Sequence, residues 1–295
     1  MLNPSNAEAV STIQLRDGRV LAYLEVGKSD GPVVIHCHGS GSSRLEALIM
    51  ADAANEVGIR LVALDRPGIG RSDPHPYVNI ADWTNDLAEF VDRLGLREFA
   101  VQGLSNGGPY ALASAWKLPG RVRACGLISS VPPGEIVRER GPLWMRFMWA
   151  VGRNYPRAFH RYLQWVVPDT KISLAESDKQ VRTMIRWMSG PDRRAMQNEA
   201  LRSYLEHTLM EHRRQGGAGA RHEAEIGMRP WGFAVSEIRC ERLFLWHGEQ
   251  DRVIKVDLAR AFAAALPHCS ATYFADEGHF SLIANRARDV LIGLR

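Results

Sequence analysis

The sequence has little cysteine and no pattern that pairs it. Four cysteines are spread over 295 residues, and the first three lie in or beside apolar, strand-like runs. There is no C-x-x-C pair and no cysteine and histidine cluster with the spacing of a zinc site. The sequence therefore predicts neither a redox motif nor a metal site, and it implies no cofactor. The four residues are Cys37, Cys125, Cys240 and Cys269.

A strong excess of charge is also absent. Lysine and arginine number 37 against 33 aspartate and glutamate residues, a formal net charge of +4, and the two signs are interspersed. Binding to nucleic acid or to an anionic membrane calls for a basic run or patch, so we predict that neither is a partner. Residues 1–8 contain no basic segment followed by an apolar stretch, which favours a cytoplasmic protein. The oligomeric state stays open.

Apolar strands alternate with helices at both ends of the chain. The chain begins with two strands joined at Asp17 and Gly18, a typical hairpin turn. Further strands are predicted at residues 32–38, 61–64, 99–101, 122–129, 242–247 and 271–274. Helices are predicted at residues 45–57, 80–94, 109–118, 256–266 and 282–294. Such alternation predicts an α/β fold with a mostly parallel, doubly wound sheet covered on both faces.

The alternation stops between residues 135 and 231. This stretch is helix-like, rich in Arg, Trp and Met, and shows no clear strand. We interpret it as a helical cap inserted into an α/β core that is formed by residues 1–134 and 232–295. A small substrate would bind beyond the carboxyl ends of the parallel strands, close to such a cap.

A sharp turn at Ser105 joins the strand at residues 99–101 to the following helix. A serine there is forced toward positive φ, which costs about 1–3 kcal/mol. Gly103 and Gly107 let strand and helix close in on either side, so that the Ser105 hydroxyl projects at the top of the sheet. The pattern predicts a nucleophile.

A serine hydroxyl needs a base to remove its proton and an acid to orient that base. His279 follows the last predicted strand, and Asp251 follows the strand before it, with Glu249 as a rival acid. Other histidines and carboxylates are less suited, either as organisers of strand ends or because they lie too near His279 in sequence to reach its ring. They are His36, His38, His247, Asp276 and Glu277.

The G-x-S-x-G spacing in a strand, turn and helix resembles the nucleophile elbow of the α/β-hydrolase family. The order serine, aspartate, histidine is similar as well, and the resemblance covers residues 33–294. It implies that Ser105 is the nucleophile, Asp251 the acid and His279 the base. A serine at the elbow argues against dehalogenase or epoxide hydrolase chemistry, for which the family uses aspartate.

The resemblance also implies an oxyanion hole formed by two backbone N–H groups. These are the N–H of Asn106, at the start of the elbow helix, and that of Ser40, in the turn after His38. The family often has proline two residues after its His-Gly pair. Gly41 stands there in this sequence, which predicts a freer loop.

An apolar segment of the cap is the predicted substrate-binding region, together with Phe280 beside His279. Its residues are Trp144, Phe147, Met148 and Trp149. The sequence therefore predicts a carboxylesterase-like serine hydrolase that cleaves an ester, thioester or lactone of a small, largely apolar molecule. Carbon–carbon bond hydrolysis, amidase or peptidase activity on the same triad, and a ligand-binding receptor without sustained turnover, remain alternatives.

Overall fold

The structure, a computed structural model, describes residues 10–295, so the interpretation of residues 1–8 lies outside it. Eight strands form one sheet in the order β1-β2-β4-β3-β5-β6-β7-β8. Their bounds are β1 Ser11–Gln14, β2 Val20–Gly27, β3 Val33–Cys37, β4 Arg60–Leu64, β5 Phe99–Leu104, β6 Val122–Ile128, β7 Leu243–Gly248 and β8 Cys269–Phe274.

Twelve α-helices surround the sheet in the described part of the chain. They are α1 Ala51–Val57, α2 Trp83–Arg93, α3 Gly108–Lys117, α4 Gly134–Arg140, α5 Leu143–Asn154, α6 Pro156–Val166, α7 Leu174–Trp187, α8 Gly190–Ala195, α9 Glu199–His212, α10 Ala218–Gly227, α11 Val256–Ala265 and α12 Ser281–Leu294. The helix predicted at residues 45–57 is a 3-10 segment, Arg44–Met50, followed by α1.

The predicted mostly parallel sheet is confirmed. Strand β2 pairs antiparallel with β1 and β4, whereas β4, β3, β5, β6, β7 and β8 pair in parallel. Parallel neighbours place their carboxyl ends at one edge, so the loops after β3, β5, β7 and β8 gather there. All of the predicted catalytic and oxyanion-hole residues lie on those loops or directly after them.

Alternate residues of β3 face opposite sides of the sheet, as the two-residue period of a strand requires. Ile35 packs in a cluster with Phe90 of α2 and Tyr110 of α3. Val34 packs in a second cluster with Val290 of α12. Both faces are therefore buried, which explains why the central strands are apolar at most positions.

Helices α4 to α10 lie between β6 and β7, and we refer to residues 135–231 as the helical insertion. Buried ion pairs connect it to the rest of the chain. A guanidinium nitrogen of Arg44 lies 2.7 Å from Glu211 of α9, and one of Arg66 lies 2.5 Å from Glu223 of α10. Removing one member of such a pair costs about 3–5 kcal/mol, because the other is left charged and buried. Within residues 10–295, no helix is both long and apolar enough to cross a membrane.

Candidate active site

Ser105 has the strained backbone that the elbow predicts. Its φ is 52°, in the left-handed region, directly after β5 ends. The turn is packed against the neighbouring strand, since a Cβ added at Gly107 would lie 2.0 Å from the carbonyl oxygen of Cys37 at the end of β3. No side chain fits at that position without moving the backbone. The side chain of Ser105 is half-buried at the edge of the sheet.

His279 and Asp251 form a buried hydrogen-bonded pair. Nδ1 of His279 lies 2.7 Å from Oδ2 of Asp251, and since a carboxylate only accepts, Nδ1 carries the proton. The other carboxylate oxygen accepts the backbone N–H groups of Val253 and Ile254 at 2.7 and 2.8 Å. These bonds fix the carboxylate on its loop, so that it can hold one tautomer and one orientation of the imidazole.

The rival carboxylates bind arginines instead. Glu249 pairs with Arg260 at 2.8 Å. Asp276 and Glu277 both pair with Arg286 of α12, at 3.0 and 3.1 Å. Among the carboxylates considered from the sequence, Asp251 is thus the one that contacts His279.

The electrostatic surroundings favour the charged form of His279. Burial by itself would lower the pKa of the imidazole, but the Asp251 carboxylate, through its charge and its hydrogen bond, outweighs burial. The more distant charges of Asp192 and Glu46 act in the same direction. The pKa of His279 is therefore raised above its ordinary value, and Nε2, which faces away from Asp251, is the nitrogen left to accept a proton.

The turn after β3 is held from two sides. Oε2 of Glu46 accepts the backbone N–H of Gly39 at 3.0 Å and lies 2.8 Å from Nε2 of His36. Gly41 has a φ of 72°, which proline cannot adopt. This explains the departure from the family's proline, because the turn takes a left-handed route here.

Helix α9 fixes the other end of this turn. Nδ1 of His212 donates to the carbonyl oxygen of Ser42 at 2.7 Å, and the Thr208 hydroxyl lies 3.0 Å from that of Ser43. The freer loop predicted from Gly41 is therefore tied to the helical insertion by side-chain hydrogen bonds. Ser40 remains exposed at the tip of the turn, and Asn106 is half-buried at the start of the elbow helix.

A cavity of about 120 Å³ is lined by residues from these loops. Its wall includes Ser40, Leu104 next to Ser105, and Phe280 next to His279. Among the hydrogen bonds of residues 10–295, none joins the Ser105 hydroxyl to His279. Most of the remaining wall is aliphatic or methionine and comes from α7 to α9 and α12: Val181, Met184, Met196, Leu201, Leu205, Leu209 and Ile283.

The aromatic segment predicted to bind substrate lies elsewhere. Trp144 and Phe147 are 61% and 65% exposed on α5, and neither they nor Met148 and Trp149 belong to the wall of this cavity. Trp149 instead packs onto Gly134, where an added Cβ would lie 1.9 Å from the indole nitrogen. The buried side of α5, which carries Trp149, therefore packs against α4 and not against the cavity. Of the five residues predicted to bind substrate, only Phe280 lines the cavity.

Sequence reasoning missed the residues of the helical insertion that reach the site. Thr208 and His212 carry no motif, since a polar residue within a helix is ordinarily a solvated one. Asp192 stands in a Ser-x-x-Asp pattern that indicates a helix start, and Ser189 does cap α8. That pattern does not reveal that the Asp192 carboxylate also accepts hydrogen bonds from backbone N–H groups at the start of α12.

Comparison with known proteins agrees with this fold. The family model described as alpha/beta hydrolase fold matches residues 32–285, and the chain belongs to this family. Strands β3 to β8, the elbow and the His279 and Asp251 pair all lie within the matched region.

Two curated relatives share part of the sequence. A non-heme chloroperoxidase from Streptomyces lividans is 34% identical over 142 residues, 45% of this chain and 49% of that protein. A bifunctional esterase/perhydrolase from Acinetobacter calcoaceticus is 32% identical over 135 residues, 44% of this chain and 48% of that protein. The matched stretch thus spans about half the length of these relatives. A solved hydrolase from Pseudomonas aeruginosa PA01 superposes with a TM-score of 0.71 at 19% identity, covering 98% of this chain and 99% of the other, which shows the shared fold.

Proposed function

We propose that this protein is a serine hydrolase that cleaves a carboxylic ester, thioester or lactone of a small, largely apolar molecule through an acyl-enzyme. The observation that carries the proposal is the buried His279 and Asp251 pair on the same sheet edge as the strained Ser105. A binding protein has no chemical need for a serine held at positive φ on the same sheet edge as a base of raised pKa.

The proposed reaction begins when Oγ of Ser105 attacks the carbonyl carbon and its proton passes to Nε2 of His279. The oxyanion accepts the N–H groups of Ser40 and Asn106. The alcohol then leaves with the proton from His279, and the acyl group stays on Ser105. Water attacks next, gives a proton to His279, and the collapse of this intermediate releases the acid and restores the Ser105 hydroxyl.

The cavity supports an apolar acyl or ring group as the bound part of the substrate. Its volume of about 120 Å³ is close to the engineered apolar cavity of about 150 Å³ that takes benzene, so the group is short. Residues from α7 to α9 supply much of the wall, which supports the interpretation of residues 135–231 as a cap. The esterase activity in the name of the Acinetobacter relative is consistent with this chemistry.

A fluorophosphonate probe followed by peptide mass spectrometry tests the nucleophile, and steady-state assays on p-nitrophenyl esters and lactones test turnover. We expect labelling at Ser105 and product release over many equivalents, both lost in Ser105→Ala. A single stoichiometric burst with a retained acyl group across the whole panel would contradict the proposal and favour a receptor. Turnover of amides or of carbon–carbon bonds, with none on esters, would reassign the substrate.

A further inference from the structure

A carboxylate of the helical insertion lies directly against the loop that carries His279. Asp192, in the first turn of α8, is 1% exposed. Its Oδ2 accepts the backbone N–H of His279 at 3.1 Å, and its Oδ1 accepts those of Phe280 at 2.9 Å and Ser281 at 2.8 Å. These are consecutive N–H groups at the start of α12. One side chain from a separate helix therefore caps α12 and fixes the backbone of the proposed base.

The fit between α8 and this loop leaves no room for another residue at position 278. A Cβ added at Gly278 would lie 2.2 Å from Oγ of Ser189 and 2.5 Å from both carboxylate oxygens of Asp192. The Ser189 hydroxyl donates to Oδ2 of Asp192 at 2.7 Å. Four donors thus surround the buried carboxylate, which compensates its loss of hydration and fixes its position.

The same loop carries a cavity residue. Phe280 lines the cavity, and so does Met196, which directly follows α8. The contact of Asp192 with the loop therefore fixes both the position of the His279 imidazole and the position of Phe280 in the cavity wall. Displacing a reacting group by about 1 Å can cost on the order of 100-fold in rate.

We propose that Asp192 is a positioning residue that holds His279 in reach of Ser105, so that the base is assembled only when α8 of the helical insertion is docked. The proposal rests on the proposed function for its catalytic consequence. Its structural content, that Asp192 fixes the His279 backbone and acts on the imidazole through its charge, does not depend on which substrate is cleaved.

Four groups bear on the charge of His279. Asp251 bonds to its ring, Glu46 approaches from the segment after β3, and Asp192 approaches from α8. Nε2 of His247 in β7 lies 3.5 Å from Oδ2 of Asp251, the same oxygen that bonds to the His279 ring. Asp192 is the one of these that the helical insertion supplies.

Asp192→Asn is the main variant, because the amide keeps the size of the side chain but loses its charge and aims an N–H donor at a backbone N–H. We expect kcat on p-nitrophenyl acetate to fall about 10- to 100-fold from the displaced base, with KM within about threefold of wild type. The matched control is Asp86→Asn on α2. Asp86 is a buried carboxylate that pairs with Arg19 and, in the described part of the chain, has no hydrogen bond or ion pair to the His279 loop. It should keep wild-type kcat.

The decisive measurement is the titration of His279 by NMR in protein with ¹⁵N-labelled histidine, assigned with His279→Gln. We expect His279 to titrate at lower pH in Asp192→Asn than in wild type, and unchanged in Asp86→Asn. Ser189→Ala keeps the charge of Asp192 but loosens it, and should lower kcat less while leaving the titration in place. Its kcat can also be measured if Asp192→Asn does not fold.

The proposal is wrong if His279 titrates at the same pH in Asp192→Asn and wild type, or if kcat is unchanged in both Asp192→Asn and Ser189→Ala. Because the titration needs no turnover, the two proposals fail separately. A shifted titration in a protein that hydrolyses none of the esters would uphold the contact and overturn the proposed function.

Discussion

Gly103 and Gly107 face each other across the turn that carries Ser105, and a Cβ added at Gly103 would lie 2.2 Å from the carbonyl carbon of Gly107. Strand and helix therefore approach through two residues without side chains. That close approach is what keeps Ser105 at positive φ, since the backbone on either side cannot relax away from the other.

Gly103→Ala should therefore destabilise the protein by about 1–3 kcal/mol or more through overpacking of backbone against backbone. The control is Gly120→Ala, because a Cβ at Gly120 has no atom within 4 Å. Urea unfolding of the two variants gives the comparison. Equal stabilities would mean that the elbow is more open than described.

The proposed triad should behave as one unit. Ser105→Ala or His279→Ala should each lower kcat by several orders of magnitude, and the double variant should lower it little further, because one residue is useless without the other. Asp251→Asn should also impair kcat by favouring the wrong tautomer of His279. Steady-state kinetics on a p-nitrophenyl ester measures all of these. Losses that multiply in the double variant would show independent roles.

The raised pKa of His279 fixes the direction of the pH dependence. The neutral imidazole is the base, so activity is lost as pH falls through the pKa of His279. Because Asp251 raises that pKa above its ordinary value of about 6.5, the acid limb of kcat/KM should lie above this pH. A profile on p-nitrophenyl acetate from about pH 5 to 9 tests it. An acid limb at or below the ordinary value would contradict the balance of charges described here.

The cavity wall should set the preference for acyl length. Leu205→Phe narrows the cavity and should lower kcat/KM for a hexanoate ester relative to acetate by about 10-fold or more. Phe147→Ala, on the exposed face of α5 outside the cavity, should leave this ratio unchanged. The ratio of the two esters in each variant is the measurement. The reverse result would return the substrate to the aromatic segment of α5.

The sequence by itself determined the sheet and the elbow. Strands β3 and β5 are buried at every residue and apolar apart from His36 and Gln102, as expected for strands covered on both faces. The hairpin at Asp17 and Gly18 is encoded by its turn residues. The glycines on either side of Ser105 directly indicate the sharp turn that holds this serine at positive φ. These signals depend on neighbours in sequence, and for that reason they could be interpreted without the structure.

The tertiary structure alone decided which parts of the helical insertion reach the site. The apolar face of an amphipathic helix shows that this face is buried, but not which part of the protein covers it. The sequence therefore could not show whether the aromatic residues of α5 or the aliphatic residues of α7 to α9 form the wall of a cavity. Asp192 has the same limitation, since a Ser-x-x-Asp pattern accounts for it as the local cap of α8. Its bonds to His279, Phe280 and Ser281 join residues 87 to 89 positions apart, and only the packing of α8 against α12 brings them together.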